Sequence, residues 1–169
     1  MAISTIKTAL MYGAFSKTTD VSIDSSKTYY VLDNGVYVAV ASPVLADIGN
    51  YYERGTLAKL VCIKSYGGFD ETKEELETTT MCDGAHTYIE GLKANSSKTF
   101  TANYDKTDYS TIRGLEGQLL DFELWFGESG ADGKFEFQGT ISASINDGEV
   151  NTVREMTVTV IPSTGVSFN

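Results

Sequence analysis

The chain has 169 residues, with a hydrophobic fraction of 41% and an aromatic fraction of 11%, which is typical of one folded domain rather than a disordered chain. Its net charge is −10 at pH 7, which argues against tight binding of nucleic acid, because Lys and Arg supply most of the affinity for phosphates. We therefore expect a single domain over residues 1–169 that does not bind DNA or RNA tightly.

The N-terminal sequence predicts neither a secretory signal nor a membrane segment. Lys7 interrupts its apolar part, no basic leader precedes it, and the apolar run is shorter than the roughly 20 residues of a membrane span. Cys62 and Cys82 lack the spacing of a metal site and could form one disulfide at most. Without an export signal, we expect reduced thiols in a bacterial-type cytoplasm.

The N-terminal half predicts short strands separated by turns. Asn34-Gly35, between two β-branched and aromatic runs, predicts a hairpin with a type I′ turn, since this pair readily adopts the positive φ angles that the turn needs. The other expectations are a first strand over 6–12 that ends at Gly13, a loop or short helical turn at 44–48, a strand over 56–66, and an exposed acidic tip over 69–75.

The C-terminal half predicts further strands and one helix. Alternation over residues 99–104 predicts a strand with Phe100, Ala102 and Tyr104 on one face. Ile112, Leu115 and Leu119 have helical spacing, with Asp108 or Ser110 as the N-cap. The remaining expectations are a half-buried strand that includes Thr78, Thr79 and Thr80, and a β-meander made of strands at 120–126, 134–145 and 150–161.

These elements together predict a mainly β fold. We expect a single β-sandwich or barrel of about eight strands, with one short α-helix near 108–118 and a long loop or hairpin near 66–77.

No pattern of residues predicts catalysis. His86 is the only histidine, which excludes a site with several histidine ligands, and we expect no Ser/His/Asp triad around it. A reactive thiolate at Cys82 is possible beside His86, but a buried strand cysteine is the simpler interpretation. The sequence also lacks a P-loop and GxGxxG. We expect no enzyme activity, catalytic residue, metal or cofactor.

A run of short motifs carries a resemblance to a known family. Glu77 to Thr80 read acidic-x-Thr-Thr, followed by Cys-Asp-Gly at 82–84, Tyr-Ile-Glu-Gly-Leu-Lys at 88–93 and Phe-Thr-x-Asn-Tyr-Asp at 100–105. In combination they resemble the signature of phage major tail proteins, the tail tube proteins, from about residue 60 to the C-terminus. The family pattern has a proline just before its acidic loop, where this chain has Tyr66-Gly67-Gly68.

The resemblance implies a structural role in a virion. Family members form hexameric rings that stack into a hollow tail tube, and genomic DNA passes through the lumen without specific binding. The resemblance also implies a hairpin between residues 60 and 80 that reaches toward the next ring. The implied partners are further copies of the chain and the tape-measure, tail-terminator and tail-tip proteins, with assembly in the host cytoplasm and no membrane.

Two acidic clusters, at 70–90 and 120–149, each hold seven acidic side chains and one lysine. A solvated acidic face is the general interpretation of such runs, and for a tube we hypothesise that Glu123 and Glu136 line the lumen. The predicted assembly residues are Gly68, Asp70, Glu71, Glu74, Glu75, Glu77, Thr78, Thr79, Thr80, Thr99, Thr101 and Asn103. The alternative function is a non-catalytic β-sandwich module that recognises carbohydrate or protein.

Overall fold

The structure is a computed structural model that describes residues 8–69, 73–82, 84–93, 96–148 and 150–169. The strands of this part are β1 Thr8–Lys17, β2 Tyr29–Asp33, β3 Val36–Ala39, β4 Tyr52–Arg54, β5 Ala58–Cys62, β6 Ser65–Tyr66, β7 Lys73–Glu77, β8 Tyr88–Lys93, β9 Lys98–Asn103, β10 Leu120–Phe126, β11 Lys134–Ile145, β12 Glu155–Pro162 and β13 Ser167–Phe168. The α-helix α1 spans Lys106–Leu115, and short 3-10 helices span Leu45–Asn50 and Glu128–Gly130. The predicted mainly β fold with one helix is confirmed.

One large antiparallel sheet contains most of the strands. Its order is β3-β2-β4-β1-β10-β11-β12-β9-β6, with β5 beside β1 and β13 beside β11, while β7 and β8 form a separate two-stranded sheet. No strand pair in the described residues closes the large sheet into a barrel. The fold is therefore sandwich-like, and β10, β11 and β12 form the predicted meander.

The core lies on one face of this sheet. Every second residue of the central strands points into it, as the period of a pleated strand requires, and aromatic rings fill much of the space. The fully or almost fully buried members include Leu10, Phe100, Ala102, Leu120, Phe122, Leu124, Phe137, Met156, Val158 and Val160. Burying a large apolar side chain contributes about 1.5–3 kcal/mol, so this face is the main source of stability.

The predicted strand at 56–66 is two strands that lie against different parts of the sheet. β5 pairs with β1 and β6 pairs with β9. Between them the Ile63 N–H donates to the Thr8 carbonyl at 2.9 Å and the Lys64 N–H donates to the Thr101 carbonyl at 2.8 Å. The chain therefore passes from the β1 region of the sheet to β9 at positions 63 and 64, although β10, β11 and β12 lie between β1 and β9 in the strand order.

Phe69 corrects the expectation of an exposed tip that starts at this residue. Its ring stacks on Phe135, with centroids 4.7 Å apart and planes 6° apart, and lies near the rings of Phe100 and Phe137. The Lys98 ammonium lies 5.4 Å from the Phe69 ring centroid. Phe69 therefore anchors the chain to the core. Burying its large aromatic ring is favourable even though acidic residues follow it in the sequence.

The helix begins earlier than predicted. Asp105 is the N-cap, and its carboxylate accepts the N–H of Thr107 at 2.7 Å and of Asp108 at 3.2 Å. These hydrogen bonds hold the pKa of Asp105 below its usual value, and the N–H of Asp108 makes the largest contribution, followed by that of Thr107. The expected caps, Asp108 and Ser110, lie inside the helix, because Asp105 already satisfies its free N–H groups.

Several predicted boundaries are confirmed and others are wrong. The Asn34-Gly35 hairpin has positive φ at both residues, 49° and 81°, and the predicted helical turn is the 3-10 helix at Leu45–Asn50. β1 continues past Gly13 to Lys17, because its C-terminal end pairs with β4. The last long strand starts at Glu155, not at residue 150. In the described residues no helix has the length and apolar composition needed to span a membrane.

Gly139 is required where β11 meets β12. A Cβ built on Gly139 would overlap the Ile161 carbonyl oxygen and lie 3.1 Å from the Pro162 Cα. We expect Gly139→Ala to lower the free energy of unfolding by about 1–3 kcal/mol, because backbone atoms cannot move aside cheaply. Urea denaturation followed by circular dichroism measures this change.

Gly114→Ala is the matched control for Gly139→Ala. Gly114 lies in α1, and a Cβ added there would meet no atom within 4 Å, so alanine should leave stability unchanged or raise it by up to about 1 kcal/mol. Equal effects of the two substitutions would contradict the close approach at Gly139.

Candidate assembly surfaces

The β7–β8 hairpin and the residues that connect its strands, 78–82 and 84–87, form a segment that we call the arm. Leu76 pairs with Ile89 and Glu77 with Tyr88, and the Thr78 N–H donates to the Thr87 carbonyl at 2.8 Å. In the described part of the chain, neither arm strand pairs with a strand of the large sheet. The arm is thus a hairpin attached to the body through its ends.

The arm exposes apolar side chains. Leu76 is 46% exposed, Tyr88 56% and Ile89 55%, and Met81 is as exposed as in an extended peptide. An isolated two-stranded hairpin is at best marginally stable in water, and clustered apolar exposure marks interaction surfaces. These properties favour an arm that is completed by contact with another molecule.

The predicted assembly residues near the arm fall in three places. Gly68 precedes the anchor Phe69, and Asp70 and Glu71 lie outside the described residues. β7 contains Glu74, Glu75 and Glu77. The Thr78–Thr80 run, predicted as a half-buried strand, follows β7 instead, with Thr78 and Thr80 exposed.

Threonine hydroxyls close the base of the arm's turn. The Thr79 hydroxyl accepts the Thr87 N–H at 3.0 Å, and the Thr78 and Thr87 hydroxyls lie 3.1 Å apart. The His86 Nδ1 lies 2.5 Å from a Glu77 carboxylate oxygen. Hydrogen bonds from His86 and then Thr79 hold the pKa of Glu77 below its usual value. Threonine favours strands, but at this turn the hydroxyls of Thr78 and Thr79 form local hydrogen bonds, and the two residues lie outside a strand.

A second surface lies on the face of the large sheet opposite the core, and we call it the hydroxyl face. Thr99 and Thr101 point away from the buried Phe100 and Ala102, as predicted, and Asn103 follows them at the edge. The face consists of side chains from three adjacent strands in register, Ser142, Thr159 and Thr99 in one row and Ser144, Thr157 and Thr101 in the next. None of these six is charged, although the chain carries −10 in total.

Glu123, predicted to line a lumen, is buried instead. It is 2% exposed, and its carboxylate accepts the Trp125 indole N–H at 2.7 Å. The Arg54 Nη1 lies 3.4 Å and the Lys134 Nζ 3.6 Å from its oxygens. A carboxylate that is enclosed and paired in this way presents no charge to a lumen, so the expectation for Glu123 is wrong for the subunit.

Asp121 completes this buried charge cluster, and Glu136 lies at its border. The Arg54 Nη1 is 2.5 Å from an Asp121 oxygen. Burial raises the pKa of the Asp121 carboxyl, and Arg54 only partly opposes this effect. Glu136 forms an ion pair with Lys134 and keeps 29% of its side chain exposed. Of the two predicted lumen residues, Glu136 alone reaches solvent.

Sequence reasoning missed the layer that covers this side of β10. Arg54 comes from β4. The edge strand β3 is bound by the side chain of Gln138 in β11, because the Tyr37 N–H donates to the Gln138 Oε1 at 2.8 Å and the Gln138 Nε2 donates to the Tyr37 carbonyl at 2.8 Å. The alternation of β10 predicts two different faces, but no local signal indicates that the β2–β3 hairpin folds over the polar one.

A shallow groove of about 440 Å³ opens between β1, β5 and the end of β10, and we call it the groove. Its lining includes Ala9, Met11, Cys62, Ile63 and Trp125. Cys62 and Cys82 are both free and exposed, so the expectation of a buried Cys82 is wrong. No group of three or more His, Cys, Asp or Glu side chains among the described residues could hold a metal ion.

We expect the protein to lose considerable stability when the cation of the charge cluster, Arg54, is removed. Arg54→Met leaves Asp121 and Glu123 buried without Arg54, so we expect a loss of about 3 kcal/mol in the free energy of unfolding at neutral pH. A carboxyl whose pKa is raised by folding destabilises the protein as the pH rises above its unfolded value of 3.8. The loss should therefore shrink as the pH is lowered toward that value.

The measurement is urea unfolding of both proteins across this pH range. Arg113→Met is the control, because Arg113 pairs with Glu116 on the surface of α1 and exposed pairs contribute about 0–1 kcal/mol. A loss from Arg54→Met that is small, or constant with pH, would contradict the role given to the cluster.

Comparison with known proteins adds little to this geometry. No family model matches the chain, and no curated protein matches it in sequence. Among solved structures, it is similar to a chain described as the sheath/tube terminator of PVC, an extracellular contractile injection system, in the extended state. The two share 10% identity, the match covers 90% of this chain and 99% of the other, and the TM-score is 0.48. A likeness at this level establishes neither a family nor a function.

Proposed function

We propose that the chain is a structural subunit that joins copies of itself into the hollow tube of a phage-like tail, and that it catalyses no reaction. The observation that carries this proposal is the arm, which exposes Leu76, Met81, Tyr88 and Ile89 without pairing with the large sheet. The resemblance of residues 77–105 to phage major tail proteins falls on the same segment and on the adjoining β9.

The arrangement of charge supports contacts between copies at two surfaces. Copies that each carry −10 repel one another, so their contacts must lie where charge is sparse or compensated. The hydroxyl face offers an uncharged area across β9, β11 and β12 for contact within a ring. The arm offers apolar area for contact between rings, where the partner surface would compensate the glutamates of β7. A stable interface buries about 1,200–2,000 Å² in total, which favours the use of both surfaces.

Six copies per ring, and a lumen that passes DNA, are parts of the proposal that come from the resemblance. An acidic lumen would keep DNA from adhering, because DNA binds surfaces that neutralise its phosphates. Its repulsion would act over about 8 Å at physiological salt. Glu136 is the candidate for this wall, since it exposes a carboxylate that Glu123 does not.

In this role the protein resides in the virion tail after assembly in the host cytoplasm. Its partners are copies of itself together with tape-measure, tail-terminator and tail-tip proteins. No cofactor or metal takes part.

The first test shortens the arm. Replacing residues 79–86 with Asn-Gly joins Thr78 directly to Thr87 through a two-residue hairpin turn. Because the core lies elsewhere, we expect this variant to keep its circular dichroism spectrum and to form no tubes in negative-stain electron microscopy at concentrations where the unaltered protein forms them.

The control replaces Val150 and Val153, which are 90% and 67% exposed in the β11–β12 connection, with serine. This variant should still assemble. Normal tubes from the shortened arm would contradict the arm as an assembly surface.

The second test concerns the lumen. Glu136→Lys reverses a charge on the proposed wall, so we expect particles of normal appearance with at least about tenfold lower infectivity, because cations hold passing phosphates. Asp47→Lys makes the same charge change on the exposed 3-10 helix. An equal loss in both variants would contradict the assignment of Glu136.

A further inference from the structure

The tip of the arm exposes an apolar side chain, Met81, that no described residue of the subunit covers. Met81 is fully exposed, and Cys82 beside it is exposed as well. Leu76 and Ile89 continue the apolar surface along the paired strands. A methionine adapts its shape to irregular gaps and interacts favourably with aromatic rings, so the tip is chemically suited to a pocket that contains an aromatic residue.

The groove is such a pocket. Ala9 pairs with Trp125 on one side and with Cys62 on the other, so these residues form a row across three adjacent strands, with Met11 and Ile63 beside it. The volume of about 440 Å³ lies within the range of about 300–1,000 Å³ typical of binding pockets. The groove is open to solvent, and apolar atoms make up most of its surface.

Charge favours the same pairing. Lys59 lines the groove and forms no salt bridge with any residue in the described ranges. The arm carries Glu75 and Glu77 on β7, and both residues are exposed. The Lys59 ammonium already interacts electrostatically with Asp108 of α1, and an acidic arm that approaches the groove gains a further favourable interaction with it that would orient the tip. Glu128 at the other end of the groove would repel the arm if it entered from that side.

We propose that the groove receives the arm of a second copy of this chain, with Met81 against Trp125 and Cys82 near Cys62. The inference rests on the proposed self-assembly and names the contact that it uses. The arm and the groove are different surfaces, so each copy donates one arm and receives another. Such a contact continues into a stack when the rotation that relates successive copies does not return to the first copy, and this open arrangement is the one proposed.

The two native cysteines test this contact directly. Assembled protein is treated with copper(II)-phenanthroline in air, which oxidises a close pair of thiols to a disulfide, and is then run on a non-reducing gel. A contact between Cys62 of one copy and Cys82 of the next gives a ladder of multimers, because every subunit takes part in two links. Cys62→Ser and Cys82→Ser should each abolish the ladder while assembly continues.

The other outcomes separate the two proposals. Dimers that persist in Cys62→Ser would show contact between two arm tips, and tubes without a Cys62–Cys82 link would show that the arm docks elsewhere. Either result overturns the proposed contact and leaves the proposed function standing. A protein that never assembles overturns both.

Substitution of Met81 provides an independent measurement. Met81→Asp places a charge in an apolar groove, so the concentration needed for assembly should rise at least about tenfold, whereas Met81→Leu should stay close to the unaltered protein. Val150→Asp is the matched control, because Val150 is 90% exposed at a turn outside the arm. Equal effects of Met81→Asp and Val150→Asp would contradict the proposed contact.

Discussion

The packing of the β2–β4 part of the sheet against β10 depends on the pairing of Arg54 with Asp121 and Glu123. β10 is buried on both faces from Leu120 to Leu124, with the apolar core on one side and these carboxylates on the other. Buried carboxylates are tolerated only when cations and hydrogen-bond donors compensate them. Because Arg54 comes from β4, this compensation holds the β2–β4 part of the large sheet over the polar face of β10.

This constraint decides which acidic residues are available for function. The carboxylate of Glu123 is committed to Arg54, Lys134 and the indole of Trp125, so its charge stabilises the subunit and is not displayed. The arm and Glu136, by contrast, display their carboxylates. The body presents a hydroxyl face without charge and a groove with an apolar floor, the kinds of surface through which acidic copies can meet.

The sequence predicted the elements whose signals are local. Asn34-Gly35 specifies its turn through two positive φ angles, and the alternation of β9 places Phe100 inside and Thr101 outside. Arg54 and Glu123, by contrast, are 69 residues apart, and nothing near either indicates the other. The prediction for Phe69 failed for a related reason, since the sequence does not show which rings it contacts. The N-cap prediction failed within one helical turn, because Asp105, Asp108 and Ser110 are all residue types that can cap a helix.

The central claim is that copies of this chain associate through the arm and the groove into an open stack. Sedimentation velocity across a wide range of protein concentration tests it most directly. The account predicts that the 18.4 kDa species gives way above a critical concentration to large, fast-sedimenting assemblies. A single 18.4 kDa species at every concentration, also in the presence of tail-tip proteins, would contradict it.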